Sequence, residues 1–146
     1  MIEEVVRVAS SESRGISSYR DLQVWQHAMD LLIDTYKVVK YFPKEELYNI
    51  TSQMKRAAVS IPSNIAEGSS RRSTQEFLRY INIATGSLSE LETQLIASER
   101  LGYLPSDVLP DFMEQTDKIS RKLQKLYDSL KERQLRDSQL AIRNSN

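Results

Sequence analysis

Cysteine is absent from the 146 residues, and histidine occurs once, as His27. The first absence excludes a disulfide framework, a thiolate metal site and a cysteine nucleophile. The second leaves too few imidazoles for a di-iron bundle site, which draws Glu-x-x-His pairs from two helices. Glycine and proline number four each, so turn signals are sparse and the elements must be few and long, which favours helices. No apolar run approaches the roughly 20 residues of a membrane span, and the opening Met1-Ile2-Glu3-Glu4 carries acids where a secretory signal carries bases. A cytoplasmic protein is expected. Phosphate-binding glycine loops, nucleophile elbows and zinc spacings are missing too, so neither enzymatic activity nor a cofactor is expected.

Net charge is zero, with 20 basic and 20 acidic residues. Its distribution is uneven. Residues 51–80 hold five basic against two acidic side chains and 117–146 hold eight against four, while 81–116 hold one against six. Two basic segments separated by an acidic one can create a local anion-attracting field on a neutral molecule.

Apolar residues recur at alternating three- and four-residue spacing, the signature of helices that turn one stripe toward a neighbour. Leu22, Trp25, Met29, Leu32, Tyr36 and Val39 form the first stripe, with Ser18 and Asp21 as a capping box ahead of it and Phe42-Pro43 as its end. The second, Leu47, Ile50, Met54, Ala57, Ile61 and Ile65, follows Pro43-Lys44-Glu45-Glu46 and runs to about Gly68, with a kink expected at Pro62. Ser73-Thr74-Gln75-Glu76 caps the third, Phe77, Tyr80, Ala84, Leu88, Leu91 and Leu95, which Gly102 stops. The fourth, Phe112, Thr116, Ile119, Leu123, Leu126 and Leu130, starts after a cap at Ser106 or Asp107, with Pro110 in its first turn. Short connections then imply an all-α, antiparallel up-down-up-down four-helix bundle over residues 18–133, flanked by mobile tails at 1–17 and 134–146.

Candidate site residues are of two kinds. Lys55, Arg56, Arg71, Arg72 and Arg79 form one basic set, in which Arg71-Arg72 sits at a bend beside a helix start whose N–H groups also attract phosphate. Lys118, Arg121, Lys122 and Lys125 cover one side of the fourth helix. Ser60, Asn64, Glu67, Ser87 and Glu90 lie near the stripes of helices two and three, where a hydrogen-bonded network fixing register is expected rather than acid/base catalysis, because packed bundles rarely leave a cleft for substrate. His27 lies opposite the first stripe and is expected to face solvent.

Several runs carry a family resemblance: Tyr19-Arg20-Asp21-Leu22-Gln23-Val24-Trp25-Gln26, Phe42-Pro43-Lys44-Glu45-Glu46-Leu47-Tyr48, the segment from Gln53 through Arg56-Ala57-Ala58-Val59-Ser60-Ile61-Pro62-Ser63-Asn64-Ile65-Ala66-Glu67-Gly68, Arg72-Ser73-Thr74, and Gly86-Ser87-Leu88-Ser89-Glu90-Leu91-Glu92-Thr93-Gln94-Leu95. The chain resembles, over about residues 19–130, the bacterial four-helix bundle proteins encoded by intervening sequences in large-subunit ribosomal RNA genes. The accessory variability proteins of diversity-generating retroelements are related to these. The resemblance implies a four-helix bundle, a ring-like homopentamer, and, from the retroelement relatives, binding of nucleic acid and a reverse transcriptase through a basic surface. The expected function is therefore a homo-oligomeric adaptor for structured RNA or DNA. A protein-interaction scaffold, in which the charges serve only solubility and register, is the alternative. Val24, Ile33, Val38 and Ile81, apolar but off the stripes, are expected to be covered by other copies.

Overall fold

The computed structural model describes residues 18–146; the expected N-terminal tail, 1–17, lies outside them. The described residues form four α-helices: α1 spans Gln23–Val39, α2 Ile50–Ser69, α3 Thr74–Arg100 and α4 Leu109–Asn144. Short 3-10 turns precede α1, at Tyr19–Asp21, and α2, at Lys44–Glu46. Each helix packs on the next and α4 closes against α1, which makes a four-helix bundle. Ser60 meets Ser87 and Glu67 meets Tyr80 across α2 and α3, while Gln23 meets Lys122 and Asp34 meets Gln115 across α1 and α4. In both pairs residue numbers rise on one helix as they fall on the other, so these helices run antiparallel.

The stripes expected for α3 and α4 are buried along their full length, as is that of α2 from Met54 onward. On α1 the core row is different: Val24, Ala28, Leu31, Thr35 and Val39 face inward. Trp25, Met29 and Leu32 are half-buried and Tyr36 is exposed, in a second row about 100° around the helix. Lys55 Nζ stands 5.1 Å from the Tyr36 ring centroid, which places this row along the α2 flank. The bulkier row looks more like a core in sequence, but the small side chains of Ala28 and Thr35 fit the crowded centre better. Thr35 tolerates burial because its hydroxyl donates to the Leu31 carbonyl at 2.7 Å. Two residues expected at the surface are core as a result, Val24 at 4% and Ile81 at 1% exposure, while Ile33 remains 48% exposed. His27, expected in solvent, is half-buried at the α1–α4 seam.

The helix ends differ in instructive ways. Ser18 caps the first 3-10 turn, accepting from the Arg20 N–H, and not α1 itself. The Pro43-Lys44-Glu45-Glu46 segment also closes into a 3-10 turn, so α2 starts only at Ile50 and Leu47 is left exposed. Ser73 does cap α3, accepting the Glu76 N–H at 3.1 Å. Gly102 ends that helix at φ +82°, with Tyr103 N–H bonded to the Ser98 carbonyl and Gly102 N–H to that of Glu99, a Schellman motif. Neither Ser106 nor Asp107 caps α4; its N-cap is Val108, and the Ser106 hydroxyl donates to Glu99. Helix α2 continues through Pro62, which is buried. The largest departure is at the C-terminus, where α4 does not stop near residue 133 but continues to Asn144. Beyond Leu130 its inward row becomes Arg133, Gln134, Asp137 and Ala141, so the helix leaves the core while keeping its hydrogen bonds.

Helices α2 and α3 approach closely at Gly68. A Cβ there would lie 2.7 Å from Tyr80 Cβ and 3.0 Å from Phe77 Cδ1, so the absence of a side chain, and not a special φ, is what the position requires. Gly68→Ala should destabilise the bundle by about 1–3 kcal/mol, the usual cost of overpacking, and lower the midpoint of thermal unfolding followed by circular dichroism. An unchanged midpoint would show that α2 and α3 are not held this tightly.

Candidate nucleic-acid interface

The bend between α2 and α3 gathers Arg71, Arg72 and Arg79, because α2 ends and α3 begins there. Arg71 donates to Glu67 Oε1 at 2.7 Å and to the Tyr80 hydroxyl at 2.8 Å. Arg79 pairs with Glu76 Oε2 at 3.1 Å. Both guanidinium groups also lie over the Tyr80 ring, at 5.1 and 4.6 Å from its centroid. Their pKa values are raised, chiefly by the hydrogen bonds they donate to Glu67 and Glu76 respectively. The positive charge of these two arginines is thus largely answered within the fold, whereas Arg72 is exposed at the bend.

On α4, Lys118, Lys122 and Lys125 stand on the side that turns toward α1. Lys122 donates to Gln23 Oε1 at 3.2 Å, and Arg121 pairs with Asp117 at 3.0 Å. The electrostatic signature is opposite to that of the bend. Lys122 is pushed down in pKa by burial and then by Lys118 and Lys125; His27 is pushed down by burial and then by Lys118 and Lys122. Lys122 and His27 are thus partly desolvated beside like charges, with Asp30 acting in the opposite sense on His27. His27, Asp30, Lys37, Gln115 and Lys118 line an open groove of about 440 Å³ between α1 and α4.

The basic residues marked in the sequence therefore do not form one patch. The bend group lies on the α2–α3 side and the α4 group on the α4–α1 side of the bundle. Lys55 packs on Tyr36, and Arg56 is exposed further along α2, toward the opposite end from the bend. The polar residues marked on helices two and three do line one seam, but in three separate groups. Ser60 and Ser87 hydroxyls meet at 2.7 Å, with Asn64 donating to the Ser60 hydroxyl at 2.9 Å; Glu67 serves Arg71 and Tyr80; and Glu90 accepts from Gln94 at 3.3 Å. Tyr80 and Gln94 were not marked by sequence reasoning, because an aromatic on a core stripe and a glutamine one turn from a glutamate carry no distinctive signal. Among the described residues, no cluster of three His, Asp or Glu side chains suited to a metal occurs and no helix is long and apolar enough to cross a membrane.

The family model for 23S rRNA-intervening sequence proteins matches residues 20–125. The chain belongs to that family. No curated protein matches it.

His27 supplies a pH test of the α1–α4 seam. Its folded pKa lies below the ordinary value of 6.5, so the fold prefers the neutral ring. The stabilisation is complete above pH 6.5 and is lost as pH falls through the lower, folded pKa, because the unfolded chain binds the proton first. Wild-type protein should lose thermal stability between neutral pH and about pH 5 by more than His27→Gln does; parallel curves would refute burial of the ring between Lys118 and Lys122.

Proposed function

We propose that the protein is a non-enzymatic, homo-oligomeric bundle that binds structured RNA or DNA through the α4 face of Lys118, Lys122 and Lys125. Arg72 and the partly compensated Arg71 and Arg79 give a weaker second contact at the α2–α3 bend. The observation that carries this reading is that Lys118, Lys122 and Lys125 stand at three- and four-residue spacing on one side of α4, where like charges on adjacent turns repel one another. A polyanion relieves such repulsion, and counterion release from its phosphates supplies the binding free energy. Recognition is of the backbone and tolerant of sequence, since phosphate contacts position a protein without reading bases. No cofactor is needed, and the setting is cytoplasmic. Membership of a family described by 23S rRNA makes an RNA hairpin the natural probe.

The half-buried row of Trp25, Met29 and Leu32, together with exposed Tyr36, Ile33 and Val59, supports contact between copies. The resemblance points to a ring of five, which would repeat the basic face and let weak contacts act together on one polyanion. A reverse transcriptase or another nucleic-acid-processing protein is the corresponding heterologous partner. The same apolar row favours the second reading, a protein scaffold with no nucleic-acid role.

Fluorescence anisotropy with a labelled RNA hairpin at about 50 mM salt separates the two readings. Replacing Lys118, Lys122 and Lys125 by Gln should flatten the salt dependence by roughly two to three units in log–log slope, while R71Q/R72Q changes it less. Absence of wild-type binding to any hairpin or duplex would leave the scaffold. Light scattering should give several chain masses in solution; the mass of a single chain would remove the oligomer.

A further inference from the structure

The C-terminal stretch of α4 carries cations in register with the face just described. At about 100° per residue, Lys118, Lys122, Lys125, Arg136 and Arg143 all fall within an arc of about 60°. At ~1.5 Å per residue the row is about 37 Å long. Its two ends are clusters, Lys118 to Lys125 and Arg136 to Arg143, separated by about 16 Å of helix that presents Ser129 and a single acid, Glu132, on the same side. Arg136 and Arg143 are exposed, and neither forms an ion pair among the described residues. Arg133 is the one extension cation with an acidic partner, Asp137 at 4.0 Å.

We infer that the extension of α4 beyond Leu130 is an arm of the polyanion-binding surface, and that its ligand is a double-stranded stem long enough to present phosphates to both clusters. This rests on the nucleic-acid reading above. Core packing gives no reason for the helix to continue, because its inward row past Leu130 holds no buried residue. Charge complementarity does. A compact anion could satisfy one cluster only, whereas phosphates recur along a duplex, and one duplex turn of about 34 Å is close to the length of the row. The extension also exposes Leu135, Leu140 and Ile142. Leu135 and Ile142 share a side, but the positions between them on that side are Ser138 and Gln139, so the alternating row that a helix–helix contact needs is incomplete.

The test compares the full-length wild type with R136Q/R143Q on RNA hairpins of about 20 and about 6 base pairs, with affinity measured across a salt series. On the long stem the double variant should bind about five- to tenfold more weakly at low salt, with a slope flatter by about two. On the short stem the two proteins should be alike. Gln134→Pro keeps every charge but breaks the helix between the clusters, and should lose the same long-stem advantage. If R136Q/R143Q or Gln134→Pro binds the long stem like wild type, the arm is refuted while the α4 face stands. If wild type binds neither stem, the nucleic-acid reading fails and takes the arm with it. If L135S/I142S lowers the solution mass while R136Q/R143Q leaves binding intact, the extension is a contact between protein chains, and the inference is overturned.

Discussion

The close approach of α2 and α3 is the constraint on which the rest of the bundle depends. It requires Gly68, since even a methyl group would collide with the first carbon of the Tyr80 side chain. The same approach aligns Ser60 with Ser87 and brings Glu67 under the Tyr80 hydroxyl. With those two helices fixed, the bend between them holds Arg71 and Arg79 around the Tyr80 ring and within reach of Glu67 and Glu76. The seam on the opposite side, between α1 and α4, is bridged by long polar side chains such as Gln115 to Asp34 at 3.2 Å. Long bridges leave a groove where short ones would close it.

From this asymmetry follows the division of the molecule's charge. Arginine at the bend is satisfied by carboxylate and aromatic neighbours one turn away, so that positive charge there serves local structure. Lysine on α4 has its like-charged neighbours at the same helical spacing, and burial of Lys122 and His27 raises the cost of holding them all charged. A chain with no net charge can in this way present one face that favours an anionic partner. Counting basic residues cannot distinguish these cases, because Arg71-Arg72 is the denser pair in sequence and yet the more compensated site in space.

Much of the architecture was legible in the chain. The rows of α3 and α4 could be read because each of those helices has one dominant apolar stripe, and the Ser73 cap and the Gly102 stop because their chemistry is local. The core row of α1 could not. That helix has two apolar rows, and only its place between two neighbours decides which of them faces the centre. The length of α4 was equally hidden, since Leu130 is the last core contact and an exposed helix leaves no apolar trace of where it ends.

The sequence by itself determined the helices, their number and the family to which the chain belongs, since periodicity, capping chemistry and motif spelling are properties of neighbours along the chain. Only the tertiary structure decided which cations meet carboxylates and which meet other cations. Whether Arg71 meets Glu67 and Tyr80, whether Lys122 meets Lys118 and Lys125 at a half-buried seam, and whether Arg136 continues the same rail are questions of through-space distance and solvent access. Coulomb energy depends on those two quantities and not on order along the chain.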